Sequence, residues 1–279
     1  MGKICFIVGH GESKSGGYDP GAVSSGFHEF KIAREIAKYA QAYYNANYTE
    51  ECDLMNYDGK LYLTERIEAV NKGNYDFIAE FHLNAGGGKG TECYYSNGDL
   101  TGKKHAIAIS SAIAETLNIK NRGDKIKLNS KGKDYFGIIR QTKPTAVLIE
   151  TAFIDTVSDR SEIDTASEQK ECGIAIAKAV AKVRGAKKKE TTAQTSTQSV
   201  QNLTQSDFKP YTVKVICKSL NIRKTPIWSN ADIVGVIEGE ATKYKYTIVA
   251  EKMLDNTKFG KLKSGAGWIS LGSKYVKKV

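Results

Sequence analysis

Lys3-Ile4-Cys5-Phe6-Ile7-Val8-Gly9-His10-Gly11 decides the fold. Ile4–Val8 is apolar without alternation, so it reads as a strand buried on both faces, as in a parallel sheet. Outward from it, Glu29–Asn45 has helical spacing through Ile32, Ala33, Ile36, Ala37 and Ala40. Leu63–Lys72 continues the helical pattern, with Ile67 and Val70 on one face. Tyr75–Leu83 and Thr91–Tyr95 read as strands, Lys104–Leu117 as a helix, and Phe136–Arg140 and Ala146–Thr151 as further strands. Ser167–Val183 closes the series as a helix. Strands alternating with helices predict an α/β domain, a twisted and mostly parallel sheet with helices on both faces.

The chain has 279 residues, which suits one large domain or two unequal ones. No apolar run approaches the ~20 residues a bilayer span needs, so membrane insertion is not expected. Residues Met1–Lys3 and the short run after them lack the pattern of a signal peptide. The five cysteines (Cys5, Cys52, Cys93, Cys172, Cys217) are scattered and odd in number. That argues against a disulfide scaffold and a thiolate zinc site, and for folding in a reducing cytoplasm.

The net charge of +10 is unevenly placed. Residues 1–185 balance 24 Lys+Arg against 24 Asp+Glu, whereas residues 207–279 carry 14 against 6, a net of +8. A basic small domain suggests an anionic partner such as a cell wall, lipid or nucleic acid. Between the two parts, 12 of the 17 residues 190–206 are Thr, Gln or Ser. Such a segment cannot bury enough apolar area to offset its ordering entropy. The expected organisation is a catalytic domain over 1–185, a flexible linker over 186–209 and a small domain over 210–279, with Lys187–Lys189 as a solvated helix end. In the last part, short runs at Tyr211–Ile216, Ile233–Ile237, Lys245–Glu251, Phe259–Leu262 and Gly267–Ser270 predict a small all-β barrel.

The chemistry concentrates where strands end. His10 follows the first strand, His82 nears the end of Tyr75–Leu83, and Glu150 ends Val147–Glu150. In open α/β sheets the ligand crevice lies beyond the carboxyl ends of the strands. Imidazoles and carboxylates are zinc ligands, and two His with one Glu is a known catalytic set. A third ligand is expected from the segment after His10. Glu29 in the first turn of a helix is the candidate, and His28 competes with it. Asp19-Pro20-Gly21-Ala22 reads as a tight turn. Glu80 shares a strand face with His82, as a partner of that ring or as one half of a surface ion pair.

The blocks Gly9-His10-Gly11, Asp19-Pro20-Gly21-Ala22, Gly26, Glu29, Arg66, Asn71, Asp76-Phe77-Ile78, Phe81-His82-Leu83-Asn84-Ala85, Gly90-Thr91-Glu92, Tyr94-Tyr95, Pro144, Val147-Leu148-Ile149-Glu150 and Phe153-Ile154 come in that order. Residues 3–184 therefore resemble the zinc-dependent N-acetylmuramoyl-L-alanine amidases of the Amidase_3 type. The resemblance implies zinc bound by His10, Glu29 and His82, with Glu150 as the catalytic carboxylate. It also implies a peptidoglycan substrate, cut between N-acetylmuramic acid and L-alanine. Departures are Val8-Gly9 where the family often has Asp-Pro, a longer Glu12–Tyr18 loop, and Glu80 at a position often apolar or small.

Ser219-Leu220-Asn221-Ile222-Arg223, Gly235, Ile237, Gly239, Gly267-Trp268-Ile269-Ser270 and Tyr275-Val276 resemble bacterial SH3 domains of the SH3_3 type. That implies binding to cell-wall peptide, glycan or teichoic acid, with no nucleic-acid partner expected and Trp268 read as core. The arrangement resembles a phage endolysin of a Gram-positive host, held in the host cytoplasm until lysis. A host autolysin or sporulation amidase, a zinc peptidase of the stem peptide, and a non-catalytic wall-binding protein are the alternatives.

Overall fold

The computed structural model describes residues 2–189, 208–226, 233–254, 257–273 and 275–279. The chain divides into two compact units, Met1–Thr191 and Thr192–Val279. The Thr/Gln/Ser-rich stretch 190–206 and Trp228 lie outside the described residues.

The first unit begins with β1 (Lys3–Val8) and two small hairpins. In these, β2 (Gly11–Glu12) pairs with β3 (Tyr18–Asp19), and β4 (Val23–Ser24) with β5 (Phe27–His28). Then come α1 (Glu29–Asn47), β6 (Cys52–Met55), α2 (Leu63–Lys72), β7 (Tyr75–Asn84), β8 (Thr91–Tyr95), α3 (Leu100–Leu117) and β9 (Asn121–Lys125). The unit closes with α4 (Gly137–Gln141), β10 (Thr145–Phe153), α5 (Val157–Arg160) and α6 (Ala166–Arg184). Six strands form one sheet in the order β6-β1-β7-β10-β8-β9. Every neighbouring pair is parallel except β10 with β8.

Strand alternation sorts the core into two layers. Ile4, Phe6 and Val8 of β1 and Phe77, Ala79 and Phe81 of β7 pack against α1, α3 and α6. Cys5, Ile7 and Ile78 face the smaller layer built by Ile67 and Val70 of α2 and Ile138 and Ile139 of α4. Glu80, His82 and Glu150 lie on this second face by register: Ile7 pairs with Glu80, Leu148 with Glu80 and Glu150 with His82. Because α2 and α4 are short, that face is left uncovered toward the strand ends.

The Phe136–Arg140 run is not a strand. Ile138-Ile139 are β-branched, but here they form a helical turn whose two side chains fill the layer against α2. A four-residue apolar run cannot separate these cases by periodicity. The edge strands β6 and β9 carry too little apolar pattern to announce themselves; Asn121-Arg122-Gly123-Asp124-Lys125 is a strand only because β8 pairs with it. Lys187–Lys189 is not a helix end either. Gly185 stops α6 in a left-handed turn, φ 63°, and the chain then runs antiparallel to Asn47–Thr49 through Thr49 N to Lys187 O (2.9 Å) and Lys189 N to Asn47 O (2.8 Å).

The second unit holds β11 (Tyr211–Val215), β12 (Ser219–Arg223), β13 (Ile233–Glu238), β14 (Lys245–Leu254), β15 (Thr257–Leu262), β16 (Trp268–Ser270) and β17 (Val276–Lys278). They form an antiparallel sheet in the order β13-β12-β16-β15-β14-β11-β17. Val213, Val215, Leu220, Ile237, Ile248, Leu262, Ile269 and Val276 make its core. Trp268 is half-buried and outside that core. Its neighbour Gly267 is required: a Cβ there would sit 2.3 Å from the Arg223 carbonyl oxygen. No helix of the described residues is long and apolar enough to cross a membrane.

Candidate metal and catalytic site

β1 delivers His10 through Gly9, whose bare Cα is what lets the His82 ring lie against the strand end. A Cβ on Gly9 would fall 2.2 Å from that ring. His10 itself adopts φ 62°, a left-handed conformation costing about 1–3 kcal/mol for a residue with a side chain. Two groups hold its carbonyl there: Asn56 Nδ2 donates at 2.7 Å and an Arg66 guanidinium nitrogen at 3.1 Å. The β4–β5 hairpin then turns the chain so that Glu29 starts α1 beside the strand ends.

Glu29 is the hub. Its Oε1 lies 3.1 Å from His10 Nε2 and 2.9 Å from His82 Nδ1, and accepts from the Leu83 backbone N–H at 3.1 Å. Its Oε2 accepts from Ala22 N at 2.8 Å. Gly21, at φ 67°, leaves room for this, because a Cβ there would meet Glu29 Oε2 at 2.6 Å. One donor atom each from His10, Glu29 and His82 lie within 4.8 Å of one another, the arrangement of a metal site. His28 stands at the helix N-cap, outside this cluster.

Each imidazole is backed by a second carboxylate. Asp19 Oδ2 lies 2.8 Å from His10 Nδ1. Glu80 Oε2 lies 3.1 Å from His82 Nε2, and Glu80 Oε1 accepts from Arg66 Nε at 3.0 Å. Glu80 is thus inside the site, not at the surface. Burial opposes ionisation of Glu29 and Glu80, but the imidazoles, joined by Arg66 for Glu80, hold both carboxyls below the usual range. Burial likewise opposes charge on His82, and Glu29 with Glu80 overcomes it, raising the pKa well above the ordinary value. Two imidazoles and a carboxylate, each orientated by further hydrogen bonds, fit a zinc ion by donor type.

Glu150 is placed beside His82 by the β7–β10 register. Neither Arg66 nor Arg140 pairs with it: Arg66 binds Glu80, and Arg140 donates to the Asp134 and Tyr135 carbonyls. Its Oε2 is shut off from solvent with no hydrogen-bond partner. Burial pushes its pKa up to about 7. Opposite it on β8, Glu92 is fully engaged by Asn84, Tyr94 and Arg122. His10, Glu29, Glu80, His82 and Glu150 border a cleft of about 440 Å³ whose apolar wall includes Leu63, Phe136 and Leu148. Asn56 and Arg122 carry no local sequence signal; the first is brought in by its bonds to the Val8 and His10 carbonyls and the second by its ion pair with Glu92.

The profile of the N-acetylmuramoyl-L-alanine amidase family, Amidase_3, matches residues 4–182. The chain belongs to this family. It is 31% identical over 170 residues to the sporulation-specific N-acetylmuramoyl-L-alanine amidase of Bacillus subtilis, covering 60% of this chain and 62% of that one. The LytC amidase of the same organism is 29% identical over 172 residues, covering 32% of its length. The chain thus spans less than two thirds of either relative. Among solved structures, Cwp6 from Clostridium difficile is similar at TM-score 0.60 and 32% identity, over 66% of this chain and 29% of that one. The catalytic domain of the CD27L endolysin targeting Clostridia difficile is similar at TM-score 0.53 and 28% identity, over 65% and 98%. The family match lies within the first unit.

Proposed function

We propose that this family member is a zinc-dependent peptidoglycan amidase cutting between N-acetylmuramic acid and L-alanine. The observation that carries the reading is the His10–Glu29–His82 cluster with an unpartnered Glu150 oxygen on the same strand face. Zinc held by His10, Glu29 and His82 supplies Lewis acidity and lowers the pKa of the attacking water. Asp19 and Glu80 orient the two rings, and Arg66 fixes Glu80. Glu150 accepts a proton at Oε2 and returns it to the leaving amine; burial raises its carboxyl pKa, and a bound cation would lower it. The apolar wall shields this exchange from bulk water.

The second unit, with its net +8, is the wall-binding module of this reading, an SH3-like fold drawn to an anionic wall. Its support is the Leu220-Asn221-Ile222-Arg223 strand and the glycine requirement before Trp268. Tethering keeps catalysis near the wall by effective concentration. Likeness to an endolysin catalytic domain supports a phage lytic role, with the enzyme in the host cytoplasm until lysis. The 31% identity to a sporulation-specific amidase supports a host role instead. Deleting the gene separates them by its effect on phage release or on spore formation.

The activity test is digestion of Gram-positive walls by the full chain, with chelator and with restored Zn²⁺. Zinc-dependent appearance of N-terminal L-alanine without new reducing sugar is the expected result. A different new N-terminus moves the cut into the peptide, and binding without release removes the enzymatic reading.

A further inference from the structure

Residues 126–136 form a tongue beside the cleft that the proton-transfer scheme does not use. Tyr135 N donates to Lys127 O and Asn129 N to Lys133 O, both at 2.8 Å. Asn129 Oδ1 accepts from Lys131 N at 2.9 Å and Lys133 N at 3.2 Å, closing the tip. Asp134 pins the tongue to the end of β8 through Ser96 Oγ (2.6 Å) and Asn97 N (3.0 Å). Arg140 braces it from α4 through the Asp134 and Tyr135 carbonyls, each at 2.6 Å. So the tongue is a built element.

Its chemistry is cationic and aromatic. Lys125, Lys127, Lys131 and Lys133 stand within nine residues. Among the described residues none of the four has a carboxylate within ion-pair distance. Instead Lys127 Nζ sits 4.2 Å from the exposed Tyr135 ring centroid and 5.4 Å from that of Phe136. Residues 1–185 as a whole balance their charges, so this is a local concentration rather than a general basicity.

The tongue is continuous with the cleft. Phe136 lines the cleft and packs on Tyr94 with ring centroids 4.8 Å apart. Leu148 of the cleft wall pairs with Tyr94, and Tyr94 pairs with Lys125, so the three form one row on one face of the sheet. Two strand spacings place Lys125 about 10 Å from Leu148. That is about three residues of extended peptide.

We propose that Lys125 and Lys127, on the Tyr94–Phe136–Tyr135 aromatic row, form the docking site for the acidic stem peptide that continues from the scissile amide. The inference rests on the amidase reading and names the recognised part of that substrate. Neutral sugars give the Lys125 and Lys127 ammonium groups nothing to pair with, whereas a stem peptide carries an α-carboxyl on its second residue, D-glutamate, inside the span of about three residues that the row covers. The Tyr135 and Phe136 rings flank the Lys127 ammonium group and offer an apolar face to the peptide.

The test uses the full chain and two soluble muramyl peptides, one with the glutamate carboxyl free and one with it amidated. The Lys125→Ala/Lys127→Ala variant is expected to lower kcat/KM for the free-acid peptide about tenfold through KM, and to discriminate between the two peptides far less than wild type. Lys127→Arg, which keeps charge and ring contact, is expected to retain the discrimination that the Lys127→Ala single variant loses. Raising salt should erase the preference in wild type. Equal losses on both peptides, or none, overturn the proposal, as does tighter retention of purified teichoic acid than of peptide with KM unmoved. Failure of the amidase reading looks different: no L-alanine terminus appears from either peptide. In that case, binding of the free and amidated peptides to the chain, followed by fluorescence anisotropy, still decides whether the lysines read the carboxyl.

Discussion

At the scale of the residue, the site shows how one carboxyl is held above the usual pKa range while its neighbours are held below it. Glu29 and Glu80 face imidazoles or a guanidinium, whereas Glu150 Oε2 faces none of them. A carboxyl whose folded pKa of about 7 exceeds its unfolded value resists ionisation in the fold. It therefore lowers stability as pH rises from about 4.5 through 7, by about 3 kcal/mol at pH 8 in the metal-free protein. Glu150→Gln should abolish that cost: urea unfolding at pH 8 should show the variant more stable than wild type, with no advantage at pH 4. The same variant should bind zinc and lose about 10²–10⁴-fold in hydrolysis. Glu80→Gln keeps the shape but weakens the grip on the His82 ring, and competition with a chromogenic chelator should show a 10–100-fold lower zinc affinity. An unchanged affinity would make Glu80 only a counterion for Arg66.

At the scale of the element, α3 carries a different titratable group. His105 is buried, stacks on Phe77 with ring centroids 4.0 Å apart, and leaves Nδ1 without a partner. Burial, with the Arg184 charge nearby, lowers its pKa to about 4. Its neutral form is the one the fold accepts, so stability present above pH 6.5 is lost as pH falls toward 4. The loss at pH 5 is about 2 kcal/mol. His105→Leu should flatten the stability profile between pH 7 and 5 by about that amount, read from denaturant midpoints. Packing between α1 and α6 is as close as it is because Gly173 has no side chain; a Cβ there would lie 2.5 Å from the Ile36 carbonyl oxygen. The strand-like look of Ile138-Ile139 yields to the same kind of tertiary demand.

At the scale of the whole molecule, charge and catalysis are segregated. Residues 1–185 are electrically balanced and hold the site, and residues 207–279 carry the net +8. Wall retention of the full chain should therefore fall steeply between 50 and 500 mM salt, in a cosedimentation assay, as the Debye length shrinks from about 14 to about 4 Å. Hydrolysis of the soluble muramyl peptide whose glutamate carboxyl is amidated should change much less over the same range. Parallel losses would place the salt effect in the catalytic unit.

The sequence by itself determined the α/β class, because a five-residue apolar run followed by alternating periods has few other ways to bury its side chains. It also offered His10, His82 and Glu150 at strand ends with Glu29 or His28 after them, and the family resemblance implied the set with Glu29. Only tertiary structure decided between Glu29 and His28 as the neighbour of both rings, because that depends on how the β4–β5 hairpin turns into α1. It alone joined Glu80 to Arg66 and Leu148 through Tyr94 to Lys125, contacts set by strand register across the sheet. Register and crossing are properties of the assembled sheet, and a local window of sequence contains no term for them.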